Sequence, residues 1–177
     1  MAKNYKLVKL ISKEEIESKV DKLAKQISKD YKGKNPVIVP ILKGSFIFAA
    51  DLCRKLDIDF TIDFLSVMSY GESTKSSGVV QMVKDLETDI QGKHVILVED
   101  IFDSGLTLEY LDEYFHIRKP ASLETACLLI KDVKRTVALK PKYSGFDIED
   151  KFVVGYGLDF AQKHRGLSHI AKVEFND

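Results

Sequence analysis

Cysteine is nearly absent: among 177 residues only Cys53 and Cys127 occur, far apart and without CxxC spacing. That excludes a disulfide framework and a cysteine zinc site, and both thiols are expected to be buried and reduced. Net charge is missing too, because 27 Lys and Arg balance 27 Asp and Glu. No overall field then draws the chain to nucleic acid or to an anionic membrane. The densest basic group, Lys131, Lys134, Arg135, Lys140 and Lys142, reads as a solvated edge rather than an RNA track. Apolar runs stay well short of the ~18 residues of a membrane span, and the opening MAKNYKLVKLISKEE is too polar for a secretory signal, so a cytoplasmic protein is expected. Neither GxxxxGK[ST] nor GxGxxG occurs, which removes the usual P-loop and dinucleotide signatures. The four histidines, His94, His116, His164 and His169, lack metal-ligand spacing and read as surface or structural residues.

What is present is concentrated between His94 and Leu108, HVILVEDIFDSGLTL. Val95 to Val98 form an unbroken aliphatic run suited to a parallel strand covered on both faces. Glu99 and Asp100 fall at its carboxyl end. Asp103-Ser104-Gly105-Leu106-Thr107 then supplies an acid, two hydroxyls and a glycine ahead of a helical pattern at Leu108, Leu111 and Phe115. A helix start presents outward-facing amides and a favourable dipole to an anion, and Gly105 permits close backbone approach. Carboxylates beside such a turn suit a metal-bound sugar phosphate.

The remaining periodicities predict alternating strands and helices. Ser12 and Glu15 have capping-box form, and Ile16, Val20, Leu23 and Ile27 follow at helical spacing, predicting a helix over 12–30. Val37 to Ile41 reads as a buried strand, followed by a Lys43-Gly44-Ser45 turn and a helix from Phe46 to about Leu56. Residues 59–68 alternate, with Phe60, Ile62 and Phe64 inward and Asp59, Thr61 and Asp63 outward, predicting one half-buried strand. YGESTKSSG at 70–78 has almost nothing to bury and is longer than a hairpin needs, which fits a slack connection or equally a mobile lid before strand Val79 to Val83. Further strands are expected at Glu124 to Ile130, Phe152 to Tyr156 and Ile170 to Phe175. Without a repeat or linker, this is a single domain over 1–177, α/β, with a mainly parallel sheet whose ligands bind at the strands' carboxyl ends.

The acids and the phosphate-shaped turn resemble the phosphoribosyl pyrophosphate (PRPP) motif of the phosphoribosyltransferases. LKGS at 42–45, SY at 69–70, EDIFDSGLTL at 99–108, LLIK ending at Lys131, KFVVGYGLDF at 151–160 and Arg165 in HRGLSH narrow the resemblance to the hypoxanthine-guanine branch. It implies the type I fold, a twisted parallel sheet flanked by helices with a small hood and a flexible lid, and transfer of a ribose phosphate from PRPP to N9 of a 6-oxopurine. By the resemblance, Asp103, Ser104, Gly105, Leu106 and Thr107 cradle the 5′-phosphate. Glu99 and Asp100 hold the ribose hydroxyls and a Mg²⁺. Asp103 also accepts a proton near purine N7; at its ordinary value near ~3.9 an aspartate is a weak base, so positioning or a raised value must help.

Also by resemblance, Lys131 meets the 6-oxo group, Phe152 stacks on the purine, and Val153 offers backbone groups to its edge. Asp159 binds a second Mg²⁺ and, through its carbonyl, guanine's 2-amino group. Lys43 and Gly44, after a cis peptide, and Arg165 hold pyrophosphate, while Ser69 and Tyr70 open the lid. A lysine donates and cannot accept, so Lys131 suits an oxopurine rather than adenine. A homodimer or homotetramer is implied. A xanthine-preferring enzyme, or a regulatory protein sensing PRPP or nucleotides, remains an alternative at this point.

Overall fold

Unbroken aliphatic runs must be covered on both faces, and this chain buries its runs in the middle of one sheet. The computed structural model describes residues 5–70, 79–134 and 137–175. In chain order come β1 (Tyr5–Ile11), α1 (Lys13–Asp30), β2 (Val37–Leu42), α2 (Phe46–Lys55), β3 (Thr61–Ile62), β4 (Leu65–Tyr70) and β5 (Val79–Lys84). They are followed by β6 (His94–Phe102), α3 (Leu106–His116), β7 (Ser122–Asp132), β8 (Tyr143–Glu149), β9 (Val153–Val154) and β10 (Ile170–Phe175). The large sheet has the order β5-β4-β2-β6-β7-β8, with β3 also on β2. All its pairings are parallel except β4 with β5.

The pleat of the central strands sorts the core. Ile38, Ile96 and Val98 face α1 and α2, where Ile16, Val20, Leu23, Phe48 and Leu52 pack. Val37, Val39, Val95 and Leu97 face the other way, against Leu108, Leu111 and Phe115 of α3. α1 starts as expected: Ser12 Oγ accepts from Glu15 N, and the Glu15 carboxylate accepts from Ser12 N. A separate antiparallel sheet, β1-β10-β9, forms the small hood. Cys127 is buried and Cys53 half-buried, neither in a disulfide, and burial pushes the Cys53 thiol up to about 11. His94 bonds Ser122, His116 bonds the Asp112 carbonyl and His164 bonds Tyr5, consistent with structural roles.

Two strand expectations need correction. Residues 59–68 are not one strand with its acids outward: β3 and β4 are separate pieces beside β2, and the side that faces inward is reversed at the break. Asp63 is only 7 % exposed, whereas Ile62 and Phe64 are exposed. The carboxylate of Asp63 accepts N–H bonds from Phe64, Glu87 and Thr88, so it fastens both legs of the β4–β5 hairpin at their base. Likewise, the strand expected at Phe152 to Tyr156 shrinks to β9, because Gly155 and Tyr156 take positive φ and turn the chain away.

Burial alone would raise the Asp63 carboxyl, but the N–H bonds from Thr88, Phe64 and Glu87 outweigh it and hold it below its ordinary value. The folded protein therefore binds this proton less readily than the unfolded chain. Its stabilisation is complete above the unfolded value near 3.8 and fades as pH falls through the lower folded value. Asp63→Ala is expected to cost about 2–3 kcal/mol at pH 7 in urea denaturation, with a smaller gap from wild type at pH 3. A gap independent of pH would show that the ionised carboxylate is not what holds the hairpin.

Candidate active site

β6 runs past its aliphatic stretch to Phe102, so the two acids lie within the strand and the pleat sends them to opposite faces. Asp100 is 9 % exposed and its side chain abuts Gly44. Burial raises its carboxyl to about 6, against the opposing influence of the Ile101 N–H and the Arg165 charge. Glu99 is raised further above the ordinary carboxylate range by burial and by the neighbouring Asp100. Its Oε2 is buried with no hydrogen-bond partner among the described residues. An acid buried this way favours its neutral form unless a cation stands beside it.

A cavity of about 530 Å³ opens at the carboxyl ends of β2, β6 and β7. Its wall brings together Lys43, Gly44, Asp100, Asp103, Lys131 and Phe152 with Val153, Asp159 and Arg165. Lys131, at the end of β7, leaves the basic cluster and points into this space: its side chain is 13 % exposed. The ammonium lies 2.9 Å from Asp103 Oδ2 and 3.1 Å from Asp150 Oδ1. Burial opposes its charge, but the bonds to Asp103 and Asp150 prevail and raise its pKa. Phe152 is half exposed, its ring edge against Phe160 and its side chain on the cavity wall rather than in the core. Val153 is buried behind it.

Around Lys43 and Gly44 the cavity is built from closely fitted backbone. The Leu42–Lys43 peptide is cis. A Cβ on Gly44 would sit 1.7 Å from Asp100 Oδ2, and one on Gly157 1.9 Å from the Gly44 carbonyl. Arg165 donates to the Gly157 carbonyl at 2.8 Å and pairs with Asp159 at 2.7 Å, while Asp159 Oδ2 accepts from Gln162 N. The Lys43–Gly44 turn, Asp100 and the loop after β9 therefore hold one another in place.

The turn expected to take a phosphate follows directly from β6. Gly105, at φ 89°, is the N-cap of α3, and its missing side chain leaves room for Val137, whose Cγ2 would lie 2.2 Å from a Cβ there. Ser104 Oγ accepts from Leu106 N, and the Gly105 carbonyl receives the Glu109 N–H, leaving the first-turn amides without acceptors inside the helix. Of this turn only Asp103 lines the cavity; Ser104, Gly105, Leu106 and Thr107 do not, and neither does Glu99. Ser69 and Tyr70 end β4 in backbone, but their side chains and residues 71–78 of the expected lid lie outside the described residues. Ile101, Leu158, Gln162 and Asp150 belong to the site and were not anticipated, nor was Gly157. Ile101 inside EDIFDSGLTL and Gly157 and Leu158 inside GYGLDF carried a signal, lying within the quoted motifs, whereas Gln162 and Asp150 carried none. Among the described residues no cluster of three or more His, Cys, Asp or Glu forms a metal cage.

Residues 10–161 match the model of the phosphoribosyl transferase domain. A hypoxanthine-guanine phosphoribosyltransferase of Bacillus subtilis is 45 % identical over 91 % of this chain and 89 % of its own length. One from Dictyostelium discoideum is 46 % identical over 93 % and 94 %. The crystal structure of a hypoxanthine-guanine phosphoribosyltransferase from Bacillus anthracis superposes with a TM-score of 0.89 at 49 % identity, covering 94 % of this chain and 98 % of that one.

Proposed function

Because this chain belongs to the phosphoribosyltransferase family, in its hypoxanthine-guanine branch, we propose that it transfers the 5-phosphoribosyl group of PRPP to N9 of hypoxanthine or guanine, releasing pyrophosphate. The observation that carries the reading is the Asp103–Lys131 pair, 2.9 Å apart on the cavity wall, at the point where the phosphate turn begins. A 6-oxopurine presents N7 and O6 side by side on one edge. Asp103 accepts a proton at N7 while Lys131 donates to O6, and adenine's 6-amino group would leave Lys131 facing a donor. The regulatory alternative would leave this complete set of acid, ammonium and aromatic without a task.

The residues divide the remaining work. Ser104, Gly105, Leu106 and Thr107 hold the 5′-phosphate through amides and hydroxyls, with Asp103 opening the turn. Lys43 and Gly44 offer backbone donors to pyrophosphate, and Arg165 a cation. Phe152 stacks on the base and Val153 meets its edge. Ser69 and Tyr70 open the lid that excludes water from the cation-like sugar. Holding leaving group, sugar and base in line supplies a large part of the rate.

A Mg²⁺ arriving with PRPP fits this donor set. Such an ion keeps several waters and needs only one or two protein carboxylates, and the buried Asp100, which lines the cavity, answers that need. Glu99 and Asp100 would hold it, with Asp159 serving a second ion while sharing its carboxylate with Arg165. When bound, the metal offsets the charge of PRPP and of departing pyrophosphate. The proposal places the enzyme in the cytoplasm as a single domain over 1–177 that assembles as a homodimer or homotetramer without nucleic acid or membrane; among the described residues no helix is long and apolar enough to cross a bilayer.

Purified protein with PRPP and Mg²⁺, offered hypoxanthine, guanine, xanthine, adenine and orotate separately, should form nucleotide with the first two. No turnover with any base would sink the reading, and turnover confined to xanthine would move it to the xanthine-preferring alternative. Lys131→Ala should lower kcat/KM for oxopurines about 10–100-fold, the loss expected for a charged hydrogen bond. Unchanged efficiency would remove Lys131 from base recognition.

A further inference from the structure

The ammonium that meets the purine is gripped from two sides. Asp103 belongs to the turn after β6, whereas Asp150 belongs to the segment joining β8 to Phe152. Lys131 spans the gap between them with a side chain only 13 % exposed, at 2.9 Å and 3.1 Å. Asp150 is not on the wall of the cavity that takes the base. Its side chain is 66 % exposed, so it reaches the ammonium from the solvent side.

We infer that Asp150 is a positioning residue: it holds Lys131 charged and aimed at the purine O6 during the step in which Asp103 gives up its own hold. This rests on the purine-transfer reading above. As the N9–C1 bond forms and the C1–pyrophosphate bond breaks, the N7 proton passes to the Asp103 carboxylate. The neutral acid that results attracts an ammonium far less than the carboxylate did. Lys131 must hold O6 at that moment from a mostly buried position, where an uncompensated charge is costly. Asp150 touches neither the base nor the transferred proton, so its charge persists through the step. An aspartate on the same segment as Phe152 also ties the O6 donor to the ring that stacks on the base.

Asp150→Asn keeps the shape and removes the charge. Because Asp150 is largely exposed, the expected rise in KM for hypoxanthine and guanine is about three- to fivefold, with the KM for PRPP unchanged. In a Lys131→Ala background the same substitution should have no further effect on the purine KM, and Asp150→Glu should restore most of the wild-type value. An unchanged purine KM, or an additive loss in the double variant, would overturn the assignment, and a parallel rise in the PRPP KM would reduce Asp150 to a structural role. Labelling with an amine-acylating reagent, read by mass spectrometry of the peptide containing Lys131, tests the grip without turnover. Faster acylation of Lys131 in Asp150→Asn supports the hold, and equal rates contradict it. Wild-type protein that converted no oxopurine would overturn the function reading instead, whatever the labelling showed.

Discussion

Asp103→Asn is expected to lower kcat about 10²–10⁴-fold while leaving the KM for PRPP within about threefold of wild type, because general-base catalysis at one positioned group contributes on that scale. The substitution preserves the shape of the turn that leads into α3, so the phosphate cradle of Ser104 to Thr107 stays intact. It removes the proposed acceptor for the purine proton. The side chain is 52 % exposed and 2.9 Å from Lys131, so the carboxylate lies where a base entering the cavity would meet it. Thr107→Val makes the contrasting case: its hydroxyl is assigned to the proposed cradle and not to the proton path, so KM for PRPP should rise and kcat should change little. Steady-state kinetics with each substrate varied in turn separates the two. Equal effects of both substitutions on kcat and KM would mean that the turn acts as one unit and that Asp103 has no separate chemical role.

How far the site could be read in advance depended on whether a residue's neighbours were near it in the chain. α1 was legible because its cap and its apolar stripe are local: Ser12 and Glu15 satisfy one another three residues apart. The turn from β6 into α3 was legible in its geometry for the same reason, as a strand, a glycine with positive φ and a helix start in consecutive residues. Lys131 could be placed at a strand end, but its two acid partners come from separate loops, and nothing near Asp150 in sequence announces the contact. Asp63 misled for a physical reason. Alternation predicts an acid outward, and only the arrival of the Glu87 and Thr88 amides, from residues well along the chain, makes burying its charge favourable. β1 and β8 were not anticipated because their faces are only partly buried, so their hydrophobic period is weak. The chain's own pattern marked the strand-end loops; it could not show that the loop after β9 folds back against Lys43-Gly44.

That fold-back leads to the second large expected effect. Gly157→Ala should destabilise the protein by more than about 3 kcal/mol and, where folded protein is recovered, raise KM for PRPP at least about tenfold. Gly157 has φ 106°, which a side chain resists, and its added Cβ would lie 1.9 Å from the Gly44 carbonyl oxygen. A backbone oxygen has no rotamer by which to escape. Gly44 cannot retreat easily either, since its own α-carbon faces the buried Asp100 carboxylate, so the displacement passes into the Lys43-Gly44 turn, the one proposed to offer amides to pyrophosphate. Gly33→Ala is the matched control: Gly33 also has positive φ, at 74°, but a Cβ there meets nothing within 4 Å. It should cost only the left-handed backbone penalty of about 1–2 kcal/mol and leave kinetics unchanged. The difference between the two variants, measured by chemical denaturation and by PRPP kinetics, isolates the contact between the β9 loop and the Lys43-Gly44 turn. Equal losses in both would show that backbone strain alone accounts for Gly157 and that the two loops do not constrain one another.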